Sequence, residues 1–218
     1  MFDVPFADGE NRLVARAGAL TDVLTVGFRL AQASPERFTE LNVMLGSPRY
    51  FDDREAGMAW IPARPYTPGS WGYVGGEALR RSGTGWLGSA SDILGTKNDP
   101  VFQTQRVGIE SFRADVPDGT YSVYLYWAEL DATRQREALA YNRGADGPQQ
   151  QYTGRRLDVS VNGRKVLENF SIAAEVGFSR AMVRKVEVIV RDGQGLRVDF
   201  GRIEGEPVLN AIRIYRNH

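Results

Sequence analysis

The sequence contains no cysteine and a single histidine, His218, which is its last residue. The absence of cysteine excludes disulfide bonds and thiolate zinc sites, and it leaves the cellular compartment open. One terminal histidine excludes histidine-based metal sites and Ser-His-Asp catalysis. No run of about 18 apolar residues is present, so no membrane-spanning helix is predicted, and no signal peptide is recognisable.

Lysine is also scarce, with Lys97, Lys165 and Lys185 as the only three among 27 basic residues. The basic residues are balanced by 27 acidic ones, and this balance argues against a nucleic acid or an anionic membrane as partner. The arginine bias reflects genomic composition or a surface that holds carboxylates. At 218 residues, 42% of them hydrophobic, the chain is long enough for one domain, or for one domain and a fragment.

Alternating apolar and polar residues predict short strands along most of the chain. Val161-Asn162-Gly163-Arg164 predicts a two-residue type I′ hairpin, because both central positions of that turn need positive φ. Roughly eight to ten strands joined by Gly, Pro and Asp turns indicate an all-β fold, a β-sandwich of jelly-roll type. The segments with strand patterns are NRLVARAG, DVLTVGFRL, ELNVML, VPDGTYSVYLYWAEL, RLDVSVNGRKVLENFSI, AMVRKVEVIVRDGQGLRVDF and VLNAIRIYR.

Two stretches lack this alternation. Asp52 to Asp99 is rich in glycine and proline and carries five large aromatic residues, most densely in GSWGYVGG, Gly69 to Gly76. A loop region of this length is usually functional or disordered, and the aromatic residues argue against disorder. The second stretch, Asp131 to Gly154, is interpreted as a solvated insertion with a short helix around Arg136 to Tyr141.

Six segments, spread over Thr39 to Tyr215, occur together in one order: NVMLGS, MAWIPARPYTPGSWGYVGG, ILGTKNDPVFQTQRVGIESFRADVPDGTYSVYLYWAEL, REALAYNRGAD, RLDVSVNGRKVLENFSIAAEVG and IEGEPVLNAIRI. This pattern resembles the malectin-like domain, in the version found at the C-terminal end of bacterial glycoside hydrolase family 2 enzymes, the β-galactosidase group. The resemblance implies a β-sandwich over residues 39–218, and an oligosaccharide or polysaccharide as the partner that it binds.

The N-terminal stretch fits the same context. Residues 1–33 look like the last strands of the immunoglobulin-like domain that precedes the malectin-like module in those enzymes, with residues 34–38 as a linker. The alternative is that these strands extend the sandwich. MFDVPFADGEN begins like the inside of a domain, so the chain is expected to be part of a longer protein. The catalytic domains of that glycosidase would then be its partners, and the resemblance implies a secreted or periplasmic parent enzyme.

A carbohydrate site needs exposed aromatic rings, on which the C–H face of a sugar stacks, and planar polar groups that bond to its hydroxyls. Trp71 and Tyr73 in the glycine-rich octapeptide are the candidate rings, because glycines let the backbone approach a ligand. FQTQR, which stands where malectin has YQTER, contributes Gln103 and Arg106 as candidate hydroxyl contacts. The predicted carbohydrate-binding residues are Trp71, Tyr73, Gln103, Arg106, Glu129 and Asp131.

The sequence departs from malectin itself at most of that protein's sugar-contacting positions. Val107 stands in place of its second tyrosine, Asp131-Ala132 in place of its Tyr-Phe pair, and Gly205 in place of its acid. Sugar binding in general is therefore predicted, but not malectin's own ligand.

Each candidate also has a structural alternative. Trp60, Tyr66 and Trp71 are alternatively core residues under the long loop, and Arg106 is alternatively an arginine that holds loop carbonyls. Trp86 fits either role. The rival aromatic platform, Tyr124 and Tyr126, is expected to be covered by packing.

No catalytic residue and no cofactor are predicted. Glu129 and Asp131 have the spacing of two carboxylates on one side of a strand end, but paired acids there are common and make a weak case for a glycosidase. Asp52-Asp53 and Asn98-Asp99 offer oxygen ligands for calcium, although their spacing matches no defined loop. The chain is interpreted as a noncatalytic module that binds a glycan weakly. The alternative is a structural spacer or interaction domain that has lost sugar binding.

Overall fold

The computed structural model describes residues 9–28, 38–80, 85–130 and 154–217. The chain divides into two compact units, Met1–Gln32 and Ala33–His218. The first unit holds an antiparallel hairpin of β1 (Gly9–Ala17) and β2 (Leu20–Phe28), paired in unbroken register. Both predicted strands are confirmed, whereas their membership of an immunoglobulin-like domain stays a prediction.

The second unit is mostly β-structure. No helix of the described ranges has the length and hydropathy needed to cross a membrane. The strands are β3 (Glu40–Met44), β4 (Phe51–Asp53), β5 (Met58–Pro62), β6 (Trp71–Ala78), β7 (Arg106–Ala114), β8 (Gly119–Trp127), β9 (Arg156–Val161), β10 (Arg164–Phe170), β11 (Met182–Val190), β12 (Leu196–Glu204), β13 (Val208–Leu209) and β14 (Ala211–Arg216), and the helices are α1 (Asp99–Phe102) and α2 (Ile172–Val176).

These strands form two six-stranded sheets. The first sheet has the order β10-β9-β12-β7-β13, with β6 also paired to β7, and the second has the order β11-β8-β14-β3-β5-β4. Side chains from both sheets are fully buried, among them Leu125 and Trp127 of β8 and Val159 of β9. The Trp127 indole donates to the carbonyl of Val208 at 2.7 Å, which joins the two sheets. The arrangement confirms a mostly-β, sandwich-like fold, and the jelly-roll topology stays a prediction.

The turn between β9 and β10 has the predicted geometry. Asn162 has φ of 46° and Gly163 has φ of 76°, and the flanking residues Val161 and Arg164 are direct cross-strand partners. Both central residues are left-handed, as a type I′ turn requires. The hairpin prediction is therefore confirmed.

The aperiodic stretch from Asp52 to Asp99 is not a continuous loop, since it contributes β4, β5 and β6. In β6, Gly75 and Gly76 have positive φ, and the pairing with β7 shifts register after Val74. This bulge breaks the strict alternation of side chains that identifies a strand in a sequence. The prediction of a loop over this stretch was wrong at β6, because a glycine-rich strand with a bulge does not show the alternation of a regular strand.

A second cluster of apolar side chains lies on the face of the second sheet that is turned away from the first. Trp60 is 1% exposed, and the centroid of its ring lies 5.1 Å from that of Tyr126 in an edge-on contact. Phe102 of α1 also packs on Tyr126, at 5.7 Å between ring centroids. The structure thus confirms Trp60 as a core residue and Tyr126 as a packed side chain.

Asn210 ties this cluster to the sheets. It is fully buried, and its amide nitrogen donates to the carbonyls of Phe102 at 2.6 Å and Thr104 at 2.9 Å. Its amide oxygen accepts from the backbone N–H of Ala128 at 2.9 Å. One buried side chain therefore satisfies three backbone groups from segments far apart in the sequence.

Candidate functional site

Trp71, the first candidate ring, is the first residue of β6 and is 4% exposed. One face of its ring stacks on Phe112, with 6.4 Å between centroids and 23° between planes. The guanidinium of Arg64 lies over the Trp71 ring at 4.3 Å. The ring therefore presents no open face to a sugar, and its burial favours the alternative interpretation of Trp71 as a core residue.

The chain that leads into Trp71 is held by one carboxylate. Asp115 accepts from the Tyr66 hydroxyl at 3.0 Å and from the Gly69 backbone N–H at 2.5 Å. Its own N–H donates to the carbonyl of Ser70 at 2.8 Å. Burial, and then the neighbouring Asp115 carboxylate, raise the pKa of Tyr66 above its ordinary value. Tyr66 thus stays a neutral donor that fixes the loop, which is a structural role.

Tyr73 and Arg106, two further candidates, are in contact. The Arg106 guanidinium lies 3.3 Å from the centroid of the Tyr73 ring, and its Nη1 donates to the carbonyl of Gly76 at 2.6 Å. Arg106 is 8% exposed, and this burial lowers its pKa. The alternative interpretation of Arg106, an arginine that holds a carbonyl of the glycine-rich segment, is confirmed by this bond.

Gln103 lies at the C-terminal end of α1, not in a strand. Its side-chain amide donates to the carbonyl of Ser91 at 3.1 Å, and its backbone carbonyl accepts from the Ser89 N–H at 2.7 Å. Gln103 therefore joins α1 to the segment that follows β6.

That segment, residues 79–80 and 85–89, is named here the aromatic arm. Arg80 and Leu87 form a bridge across it, and the Gly88 N–H donates to the Leu79 carbonyl at 2.8 Å. Trp86 on the arm is 67% exposed, the largest exposed fraction of the four tryptophans. The sequence left Trp86, between Gly85 and Leu87, open between the two roles, and no local signal marked it as exposed.

Glu129, by contrast, is 1% exposed and engaged in an ion pair. Its two carboxylate oxygens accept from Arg155 Nε at 2.8 Å and Nη2 at 3.1 Å. The third nitrogen of Arg155, Nη1, donates to the carbonyl of Glu206 at 2.8 Å. This geometry makes Glu129 part of a buried structural pair. Asp131, the last candidate, lies outside the described residues, as does the predicted insertion, Asp131 to Gly154, apart from Gly154 itself.

The two segments considered for calcium meet in the fold. Asn98 Nδ2 donates to Asp53 Oδ2 at 2.6 Å, and Asp53 Oδ1 accepts from the Ala56 N–H at 3.0 Å. Asp99 Oδ2 accepts from the Ile93 N–H at 3.4 Å. Within the described ranges, no group of three or more His, Asp or Glu side chains is placed to hold a metal ion. These oxygens are engaged by N–H groups, and no metal site is assigned to them.

Comparison with known proteins gives one family match. The family model described as Malectin domain matches residues 71–212. Comparison with curated proteins finds no match.

Solved structures give a more detailed likeness. A Bacteroides uniformis β-glucuronidase has 26% sequence identity and a TM-score of 0.76, over 100% of this chain and 24% of that one. Bacteroides uniformis β-glucuronidase 2, bound covalently to cyclophellitol-6-carboxylate aziridine, has 27% identity and a TM-score of 0.77, over 100% of this chain and 23% of that one. The ANXUR2 extracellular domain of Arabidopsis thaliana has 15% identity and a TM-score of 0.56, over 82% of this chain and 48% of that one. The chain thus spans about a quarter of the β-glucuronidase chains, and its likeness to the plant receptor is one of fold alone.

Proposed function

The chain belongs to the malectin domain family, and on that premise we propose that it is a noncatalytic carbohydrate-binding module of a family 2 glycoside hydrolase. The observation that carries this proposal is the match of the entire chain to a 24% portion of a glycosidase chain. The sequence expectation named the β-galactosidase group, whereas the solved relatives are β-glucuronidases. The substrate of the parent enzyme is therefore left at the level of a glycoside.

The glycan is proposed to bind at the aromatic arm. Trp86 supplies the large exposed ring that stacking requires, which the buried Trp71 does not. Gln103, hydrogen-bonded to the arm, brings a side-chain amide to the same part of the molecule. Tyr73 lies on β6, which leads into the arm, and Arg106 lies on β7, which follows α1 and pairs with β6. Because Arg106 is 8% exposed and holds the Gly76 carbonyl, the proposed surface keeps Gln103 and Tyr73 of the predicted residues and replaces Trp71 by Trp86 as the stacking ring.

A site of this kind binds weakly. One stacked ring and a few hydroxyl contacts correspond to Kd values from roughly micromolar to millimolar, or about −4 to −8 kcal/mol. Weak binding suits a module that holds a glycan near an active site elsewhere in the same chain, because tethering raises the effective concentration.

Binding is favoured over hydrolysis by the state of Glu129. Both of its oxygens accept hydrogen bonds from Arg155 in a buried pair. A carboxylate so engaged serves neither as a nucleophile nor as an acid without breaking the pair. The module is therefore proposed to contribute binding, with hydrolysis left to the catalytic domains of its parent.

Nuclear magnetic resonance of the four indole N–H groups tests the proposal. We expect the Trp86 signal to shift saturably with at least one member of a panel of galactose-, glucose-, xylose- and uronic-acid-containing oligosaccharides. Trp86→Ala should weaken that binding by about tenfold or more, since stacking and the buried area are lost together.

The matched control is Tyr50→Ala, because Tyr50 has the same 67% exposed fraction but lies outside the arm. This variant should bind the oligosaccharide as the parent chain does. Failure of every oligosaccharide to shift the Trp86 signal would refute the proposed site.

The second candidate function is a structural spacer or interaction domain that has lost sugar binding. The burial of Trp71 favours it, because a spacer would use the octapeptide to fill its own core. A stable chain that responds to no glycan would establish this candidate in place of the first.

A further inference from the structure

A cleft of about 190 Å³ opens on the outer face of the second sheet, between residues 95–98 and the start of β11. Its aromatic walls are Phe102 and Tyr126, whose rings are tilted by 55° with centroids 5.7 Å apart. Ala181 and Val183 also line it, and Val183 is 41% exposed. Phe102 is only 3% exposed, so the partly exposed Tyr126 is the ring surface that solvent reaches.

One polar side chain in the cleft has a fixed orientation. Asn98 lines it, and its Nδ2 is committed to Asp53 at 2.6 Å. Asp53 is itself 2% exposed and is held by the Ala56 N–H. Because the nitrogen is bound, the other atom of the amide, Oδ1, is a fixed acceptor, and in the described part of the chain no donor occupies it. Preorganised acceptors of this kind are typical of ligand sites.

The remaining lining sets the charge and size of the ligand. None of the described residues that line the cleft is charged. A carboxylate bound inside the cleft would therefore lose hydration without meeting a cation in this lining. The volume lies below the roughly 300–1,000 Å³ of pockets for drug-sized ligands. The Tyr126 ring, one amide oxygen and the hydroxyl of Thr96 therefore fit a single sugar ring that carries both C–H faces and hydroxyls.

We propose that this cleft binds one neutral pyranose unit. The C–H face of the sugar packs against the partly exposed Tyr126, and one of its hydroxyls donates to Asn98 Oδ1. The proposal takes its ligand class from the proposed function, but its site shares no residue with the aromatic arm. The cleft discriminates against uronic acids, so that the module would recognise an uncharged sugar unit.

The indole N–H spectrum separates this site from the arm. Trp60 lines the cleft and Trp86 lies on the arm, while Trp71 and Trp127 are buried elsewhere. The probes are methyl β-glucopyranoside, methyl β-galactopyranoside and sodium glucuronate, each titrated into the full chain. We expect at least one neutral glycoside to shift the Trp60 signal saturably, with glucuronate weaker by about tenfold or more.

Two variants locate the effect. Ala181→Leu fills the cleft and should weaken the neutral glycoside by about tenfold or more, with the Trp71, Trp86 and Trp127 signals unchanged. The control, Ala59→Leu, makes the same change at an exposed position of β5 and should leave binding intact. Asn98→Ala removes the acceptor and should also weaken binding. It also leaves the buried Asp53 carboxylate without the amide that donates to it, so Ala181→Leu is the primary test.

Three results would overturn the proposal. They are a Trp60 signal that no probe moves, equal responses to glucoside and glucuronate, and unchanged binding in Ala181→Leu. A shift of Trp86 without Trp60 would retain the proposed function and refute only the cleft site.

Discussion

Replacing Glu129 by alanine is expected to lower the free energy of unfolding by about 3–5 kcal/mol. The side chains of Glu129 and Arg155 are 1% and 10% exposed, so the substitution leaves a guanidinium buried without its counter-ion. Urea denaturation followed by circular dichroism measures the loss. A residue that the sequence marked as a sugar contact would then be a structural one.

A double variant supplies the control. Glu129→Leu combined with Arg155→Met removes both charges, and it should recover much of the lost stability, because an apolar pair avoids the desolvation of two ions. A Glu129→Ala variant that unfolds within about 1 kcal/mol of the parent chain would show that the pair is worth little. If Glu129→Ala lost glycan binding but kept its stability, Glu129 would be a sugar contact, as the sequence predicts.

Replacing Trp71 by alanine is expected to cost about 3–5 kcal/mol, the range for loss of a large aromatic residue from a core. The substitution removes the stacking on Phe112 and the contact with Arg64, and it leaves a void where β6 begins. Equilibrium unfolding measures the cost. The variant should still bind any glycan that the parent chain binds at the aromatic arm.

Trp86→Ala is the matched comparison, because it makes the same substitution at an exposed site. Its stability should stay within about 0.5 kcal/mol of the parent chain. We therefore expect opposite outcomes: Trp71→Ala loses stability but keeps glycan binding, and Trp86→Ala keeps stability but loses glycan binding. If Trp71→Ala were stable but no longer bound sugar, the octapeptide would be the binding loop after all.

The strands that carry regular alternation could be predicted from the sequence, because their side chains face a core on one side only. β9, β11 and β14 are examples, and the hairpin at Asn162-Gly163 follows from the φ values that its turn demands. β6 escaped prediction, because a glycine has no side chain to mark a face and the bulge at Gly75 shifts the phase. The short helix α1 was also missed, since four residues are too few to show a helical period.

The candidate site was harder to predict, because exposure depends on contacts between distant segments. Nothing local distinguishes Trp71 from Trp86, since each is flanked by glycine. Trp71 is covered by Phe112 of a neighbouring strand, whereas Trp86 lies on the aromatic arm. Glu129 likewise became a structural residue through Arg155, which lies 26 positions away in the sequence. Residue type indicated the chemistry, but contacts between distant segments decide which side chains are exposed to a ligand.

The Glu129–Arg155 pair also bears on where the chain can change in length. The pair holds together the two residues that flank positions 130–154. An added Cβ on Gly154 would lie 3.3 Å from a Glu129 carboxylate oxygen. Loop-closure entropy rises only with the logarithm of length, at about 0.6 kcal/mol for each doubling. Because the Glu129–Arg155 ion pair holds the flanking residues together, the sequence between them is expected to tolerate insertions with little change in stability. The sheets would stay the same while the length of this stretch varies.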